Sequence, residues 1–95
     1  MIIAVDYDGT LANGSEMNLN LISRLKAEQL RGSIVILWTC REGRSLREAV
    51  LALRRAGFTP NFVNCNAPQA VKAMGHDSRK VLADVYIDDK SAIRL

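Results

Sequence analysis

The sequence contains few histidine, cysteine and aromatic residues, and their small number excludes several kinds of binding site. A single histidine, His76, and two distant cysteines, Cys40 and Cys65, lack zinc-binding spacing, so we expect an exposed loop histidine and two reduced, partly buried thiols. Two Phe, two Tyr and one Trp are too few for a broad surface on which nucleic-acid bases stack. The Gly-Lys-Ser/Thr pattern of a phosphate-binding loop is also absent, since Gly43-Arg-Ser45 lacks the lysine.

Long apolar runs are missing as well. No stretch approaches the length needed to span a membrane, and Met1 leads directly into an apolar segment without the basic region and cleavage site of a secretory signal. We therefore expect a soluble, cytoplasmic protein with no membrane partner. We expect the 95 residues to form one domain, residues 1–95, without a second domain or a large inserted cap.

Short apolar runs alternate with helical patterns along the chain, which predicts an α/β fold. The apolar runs are residues 2–5, 34–38, 62–63 and the later part of 81–87. The helical patterns run from a cap at Asn18 or Asn20 to about Leu30, from the capping box Ser45–Glu48 to Gly57, and from Pro68 to Met74. This order predicts a three-layer, Rossmann-like parallel sheet of about four strands, with right-handed crossovers and helices on both faces.

Each predicted strand is followed by a small polar residue. These residues are Asp6, Thr39, Asn64 and Asp88. Ligands of open parallel sheets bind at the carboxyl ends of the strands. We therefore expect Asp6, Asp8, Thr39, Asp88 and Asp89 to lie within reach of one site.

Asp6 and Asp8 follow the first strand and are two residues apart, so on an extended backbone they point the same way. Two neighbouring carboxylates repel each other unless a cation lies between them. The cation that this arrangement favours is hard and oxygen-loving, and Mg²⁺ is the first candidate. The alternative is an ordinary Asp-Gly turn whose acidic groups are only solvated.

The distribution of charge favours an anionic substrate. The net charge is +3, from 13 basic and 10 acidic residues. If four of the acids line one site, the rest of the chain carries a surplus of seven positive charges, which suits a phosphate ester. Such a surplus could also attract nucleic acid, although the few aromatic residues do not favour that partner.

Three segments together resemble the motifs of the haloacid dehalogenase-like (HAD) superfamily of phosphotransferases and phosphatases. Asp6-Tyr-Asp8-Gly-Thr resembles its nucleophile motif, and Thr39, closing Ile-Val-Ile-Leu-Trp-Thr, resembles its second motif. Asp88-Asp89, closing Val-Tyr-Ile-Asp-Asp, resembles its fourth motif. The resemblance covers nearly the whole chain and implies a small, capless member, with at most a minimal hairpin after the nucleophile.

The resemblance implies a Mg²⁺-dependent phosphatase that hydrolyses a phosphate monoester of a nucleotide, a nucleic-acid end or a sugar. Asp6 would be the nucleophile and form an aspartyl-phosphate. Asp8 would protonate the leaving oxygen and then activate water. Thr39 would hydrogen-bond the transferring phosphoryl group. A lysine would neutralise its charge, and we favour Lys80 over Lys72.

The resemblance also implies a set of metal ligands and leads to candidate substrate contacts. The implied ligands of Mg²⁺ are Asp6, Asp8 (through its backbone carbonyl), Asp88 and Asp89. Gly9 and Thr10, in the first motif, and Arg41 and Arg44, after the second, are candidate substrate-binding residues. A guanidinium suits a second phosphate or a carboxylate, and two surface arginines are the alternative. Trp38 is expected to pack in the core beneath the site.

Two other functions stay open. A receiver-type signalling domain also holds an aspartyl-phosphate at strand ends, but its adjacent acidic pair follows the first strand, whereas the pair here follows the last. A catalytically weak phosphate- or nucleic-acid-binding module would keep the site without useful turnover. The short sheet has open edges, which favour a homodimer.

Overall fold

A computed structural model describes residues 1–75 and 81–88 of the chain. The elements, in order, are β1 (Ile2–Val5), β2 (Ala12–Asn13), β3 (Glu16–Met17), α1 (Leu19–Leu30), β4 (Ile34–Leu37), α2 (Gly43–Arg55), β5 (Phe62–Val63), α3 (Pro68–Met74) and β6 (Val85–Ile87). Three residues named above, His76, Lys80 and Asp89, lie outside the described residues. Their predicted roles stay predictions.

Four parallel strands form the central sheet in the order β5-β4-β1-β6. Val5, the last residue of β1, is level with Leu37 of β4 on one side and with Ile87 of β6 on the other. The chain therefore moves outward from β1 through β4 to β5, and then returns to place β6 on the opposite side of β1. The predicted three-layer, Rossmann-like α/β fold is confirmed.

The sheet buries apolar side chains on both faces, as expected for strands of a parallel sheet. One face contributes Ile3 and Val5 to the main cluster, which α1 and α2 complete with fully or nearly buried aliphatic residues. Those residues are Ile22, Leu25, Ala49 and Leu53. Ala4 and Ile36 belong to a second cluster on the other face. Because crossovers between parallel strands are right-handed, we expect α3 on that second face.

Local sequence signals explain some of the helix ends and fail at the start of α2. Asn18 caps α1 as predicted, because its side-chain oxygen accepts the N–H of Leu21 at 3.1 Å. Gly75 ends α3 in the left-handed conformation, with φ of 79°. The start predicted for α2 at Ser45 is wrong. Gly43 adopts a φ of 58°, which lets the chain enter the helix two residues earlier.

A small hairpin separates β1 from α1. Its strands, β2 and β3, have two residues each and pair antiparallel, so within residues 1–75 and 81–88 no cap domain covers the sheet. None of the helices in these two ranges is long and apolar enough to cross a lipid bilayer.

Candidate active site

Asp6 directly continues β1 at the carboxyl edge of the sheet. Its N–H donates to the carbonyl of Ile87 at 3.0 Å, which extends the β1–β6 ladder by one residue. Its Oδ1 accepts the N–H of Tyr7 at 2.8 Å. Asp6 is only partly exposed, so both its backbone and its carboxylate are held in place by the protein.

Thr39 is held at the neighbouring strand end. Its N–H donates to Oδ1 of Asn64 at 2.8 Å, and its Oγ1 accepts the N–H of Arg41 at 3.1 Å. Thr39 is only 8% exposed. The hydroxyl oxygen accepts the backbone N–H of Arg41, so the hydroxyl proton remains available to donate to a ligand bound at the sheet edge.

Asn64 positions this threonine and is missing from the site residues predicted above. It follows β5, its N–H donates to the carbonyl of Leu37 at 2.8 Å, and its φ of 52° lies in the left-handed region that asparagine tolerates better than most residues. The signal in the sequence was the polar residue after the third strand. The pattern placed Asn64 at the edge, but not its hydrogen bond to Thr39.

A pocket of about 360 Å³ lies at this edge, and its walls include Asp6, Thr39 and Asp88. Asp6 and Asp88 follow β1 and β6, the pair of strands between which the strand order reverses. Ligands of open α/β sheets bind at such a reversal. The strand-end pattern therefore located the pocket. Four of the five residues expected at one site lie in the described part of the chain, and three of these four line the pocket.

Trp38 lines the same pocket, and its expected place in the core is wrong. It is 41% exposed, whereas Ile36, two residues earlier on the same face of β4, is fully buried. The second apolar cluster covers Ile36 but does not extend to Trp38 at the strand end. The two cysteines, Cys40 and Cys65, are free and exposed rather than partly buried, since both lie in loops at the same edge.

Asp8 is not among the residues that line this pocket. Arg41 holds its carboxylate through two hydrogen bonds of 2.8 Å, from Nε to Oδ2 and from Nη2 to Oδ1. The guanidinium also lies over the ring of Tyr7, 4.8 Å from its centre, and donates to the carbonyl of Ser45 at 3.3 Å. The Arg41 hydrogen bonds lower the pKa of Asp8 below its ordinary value, although 59% of the Asp8 side chain is exposed.

The turn after β1 explains why Asp6 and Asp8 separate. The strand ends at Val5, and the carbonyl of Tyr7 then accepts three N–H groups, from Thr10, Leu11 and Ala12. The extended backbone that would point the two carboxylates the same way is therefore lost after Asp6. The N–H and the carbonyl of Asp8 take no part in these turn bonds, and Gly9 closes the turn with a φ of 80°.

The other predicted substrate contacts do not converge on the Asp6 pocket. Gly9 and Thr10 line a second cavity of about 320 Å³ beside the β2–β3 hairpin. The Thr10 hydroxyl oxygen is buried and has no hydrogen-bond partner among the described residues. Arg44 is exposed near the start of α2, and Lys72 is exposed on α3.

The donors in the pocket suit Mg²⁺ but not a metal that needs a full set of protein ligands. Within residues 1–75 and 81–88, no three acidic, cysteine or histidine side chains come together as a metal centre. Asp6 and Asp88 nevertheless share the walls of one pocket. Mg²⁺ is commonly bound by one or two carboxylates, with waters and substrate phosphate completing its shell. These two residues are therefore adequate to hold it together with a phosphate ester.

The fold has a clear relative among solved structures. The structure of a conserved protein from Bacteroides thetaiotaomicron is similar to it, with a TM-score of 0.80 and 35% sequence identity over 97% of this chain and 78% of the other. This chain belongs to the same family as that bacterial protein. No protein-family model matches the sequence, and neither does any curated protein. The family relationship supports the fold, while the chemistry has to be inferred from the side chains of the pocket.

Proposed function

We propose that this protein is a Mg²⁺-dependent phosphatase of the HAD type, which hydrolyses phosphate monoesters through an aspartyl-phosphate on Asp6. The observation that supports the proposal most strongly is the shared pocket of Asp6, Thr39 and Asp88 at the strand-order reversal. The order of the motif residues along the chain adds to it. For the pocket to hydrolyse a phosphate ester and not only bind it, each of these side chains has to have a separate role in the reaction.

Asp6 is the nucleophile in this proposal. A carboxylate oxygen attacks phosphorus, the bond from phosphorus to the ester oxygen breaks, and water then cleaves the acyl phosphate to release inorganic phosphate. The hydrogen bonds at the Asp6 backbone and at its Oδ1 favour this role, because they hold the carboxylate in one orientation before the substrate arrives.

Thr39 binds the transferring phosphoryl group. Its hydroxyl accepts the Arg41 N–H, which leaves the hydroxyl proton for a phosphoryl oxygen. Such a fixed donor stabilises charge in the transition state better than a mobile one. The lysine of the third motif belongs to the same task, and its assignment to Lys80, in preference to Lys72, stays a prediction.

Asp6 and Asp88 would hold Mg²⁺, with Asp89 and the backbone carbonyl of Asp8 as the further predicted ligands. The cation supplies charge neutralisation between the anionic ester and the carboxylates. Asp6 and Asp88 both line one small pocket, and Mg²⁺ is commonly held by one or two carboxylates together with a substrate phosphate.

Asp8 is the general acid and base in this proposal, and its ion pair with Arg41 has to open for it to act. The two hydrogen bonds from the Arg41 guanidinium lower the pKa of Asp8 and favour its ionised form. An ionised carboxylate cannot act as a general acid. This pair is also the observation that favours the second candidate function, a phosphate-binding module with slow turnover. The two candidates differ in rate, and an activity measurement separates them.

The proposal also covers partners and location. We expect a phosphorylated substrate, no membrane partner, and a cytoplasmic location, with which the free thiols of Cys40 and Cys65 agree. A homodimer through the short outer strands β5 and β6 stays a prediction, which light scattering at working concentration tests.

Hydrolysis of an aryl phosphate, measured with Mg²⁺ and with a chelator, tests the proposed function. We expect Mg²⁺-dependent turnover in the parent protein and none above background in Asp6→Asn. Asp84→Asn is the matched control, because it makes the same chemical change before β6, at the other end of the sheet, and we expect parental activity from it. Turnover that survives in Asp6→Asn, or that ignores the chelator, contradicts the proposal.

A further inference from the structure

We propose that the pocket beside Asp6 selects phosphate monoesters that carry a planar aromatic group, with a nucleoside monophosphate as the biological form, and that Trp38 is the surface on which the ring lies. This inference rests on the proposed function, because the phosphate has to point towards Asp6. It adds the class of leaving group and the residue that recognises it.

The strand register places Trp38 beside Asp6. Val5 is level with Leu37, and the hydrogen bond from the Trp38 N–H to the Val5 carbonyl, at 2.9 Å, continues that pairing past the strand ends. Asp6 and Trp38 are therefore neighbours across the sheet and project from the same face, about 4.8 Å apart in the hydrogen-bonding direction. By the same register, Asp88 lies on the other side of Asp6.

The next row of side chains explains why a pocket exists at this point. One step back from the edge, Ala4 lies between Ile36 and Tyr86 on the same face. Ala4 is nearly fully buried and has the shortest side chain of the three, so the surface is lowest above it. Trp38 and Tyr86 stand at the two sides of this depression, and both line the pocket.

Tyr86 forms a fixed wall and not a polar contact. Its hydroxyl accepts the N–H of Ala83 at 3.0 Å and donates to the carbonyl of Val81 at 2.6 Å. The donor of this hydroxyl is thus already used within the protein, and its ring is held in place. The polar residues nearest the sheet edge are Asp6, Thr39 and Asp88. The pocket therefore has an apolar side and a polar side on which a phosphate group would bind.

The exposure of Trp38 is the feature that calls for a ligand. A large aromatic side chain that is 41% exposed leaves much apolar surface in water. Such an exposed aromatic residue indicates a binding site when it lies at the wall of a polar pocket. Stacking of a ring on an exposed tryptophan removes that surface from water and tolerates different bases. The volume of about 360 Å³ falls at the small end of the range for small-molecule sites, which suits a mononucleotide better than a polymer.

Trp38 is the single tryptophan of the chain, so its fluorescence reports on this pocket alone. The experiment titrates Asp6→Asn, in the presence of Mg²⁺, with adenosine monophosphate and with a ribose phosphate that lacks the base. Because stacking of a base on an aromatic side chain stabilises the complex, we expect the nucleotide to bind about tenfold more tightly and to quench the emission, while the ribose phosphate changes it little. Equal affinities, or no binding of either compound at millimolar concentration, overturn the inference.

Variants then assign the preference to the indole. Calorimetric titration of Trp38→Leu in the same background should show equal affinities for the two compounds, whereas Trp38→Phe keeps most of the preference for the nucleotide. Leu51→Ala removes an exposed apolar side chain on α2 and should leave both affinities unchanged. A preference that persists in Trp38→Leu also overturns the inference, provided that circular dichroism shows the parental fold.

The two proposals fail in different ways. If the parent protein hydrolyses both compounds with equal kcat/KM, the phosphatase proposal stands and the aromatic preference is wrong. If the nucleotide binds selectively through Trp38 but is never hydrolysed, the pocket assignment stands and the phosphatase proposal is wrong.

Discussion

Asp6 and Asp8 are two residues apart, yet their carboxylates differ in exposure and in the contacts that hold them. Asp6 is only partly exposed, is tied to β6 through its backbone, and lines the pocket with Thr39 and Asp88. Asp8 is mostly exposed and is paired with Arg41, a residue 33 positions later. The first arrangement is built by the sheet itself, and the second by side chains that can exchange partners.

This difference suits two different tasks. A nucleophile benefits from a fixed orientation and from staying ionised, whereas a group that gives and takes a proton has to change its surroundings during the cycle. An exposed ion pair contributes little to stability, so opening the Asp8–Arg41 pair is energetically cheap. The comparison between the two carboxylates therefore leads to predictions of different size.

After the complete loss expected for Asp6→Asn, the largest expected effect is that of Asp8→Asn on esters with poor leaving groups. Loss of a general acid should reduce kcat for an alkyl phosphate by about 10²–10⁴-fold, and for an aryl phosphate much less, since an aryloxide leaves without a proton. Steady-state kinetics with the two esters measure this difference. Arg41→Gln is the matched control, because it breaks the same ion pair and keeps the carboxylate. An equal loss for both esters would argue that Asp8 is not the acid.

A smaller effect is expected from Asn64, which positions Thr39. Asn64→Gly keeps the left-handed backbone accessible but removes the acceptor of the Thr39 N–H, so we expect a loss of about 1–3 kcal/mol in the free energy of unfolding. Asn64→Asp retains the acceptor oxygen and should lose less. Urea denaturation of the two variants measures the difference. Parental stability in Asn64→Gly would show that this hydrogen bond contributes nothing.

The smallest effect concerns the Asp8–Arg41 pair itself. Arg41→Gln should raise the pKa of Asp8 towards its ordinary value, because the hydrogen bonds that lower it are removed. A lowered folded-state pKa adds stability above the unfolded pKa, and this stability is lost as the pH falls through the folded value. Any stability difference between parent and variant should thus be small at neutral pH and vanish in acid. Carboxyl NMR titration measures the pKa, and an unchanged midpoint contradicts the observed pairing.

Several features of the fold could be predicted because they depend on local pattern. Apolar runs placed the four parallel strands, and the polar residue after each run located the pocket edge, including Asp6, Thr39 and Asp88. Asn18 and Gly75 ended helices as their residue types favour. In each case, a few neighbouring residues carry the physical cause.

Other features depend on contacts between distant segments, and the sequence pattern does not contain them. The pairing of Asp8 with Arg41 follows from a turn that departs from the strand direction after Val5. The exposure of Trp38 depends on where the second apolar cluster stops covering the sheet. An alternating pattern predicts the face on which a residue lies, but not how far along the strand that face is covered.

The most direct test of the central claim is to locate the phosphoryl group during turnover. The parent protein is quenched in acid while it hydrolyses an aryl phosphate with Mg²⁺, and the acyl phosphate is reduced with borohydride. The peptide that contains residues 1–11 and the peptide that contains Asp88 are then sequenced by mass spectrometry. We predict that the reduced residue is Asp6, that Asp8 is unmodified, and that Asp6→Asn gives no product. Modification at Asp8 or Asp88, or turnover without modification at Asp6, would contradict the account.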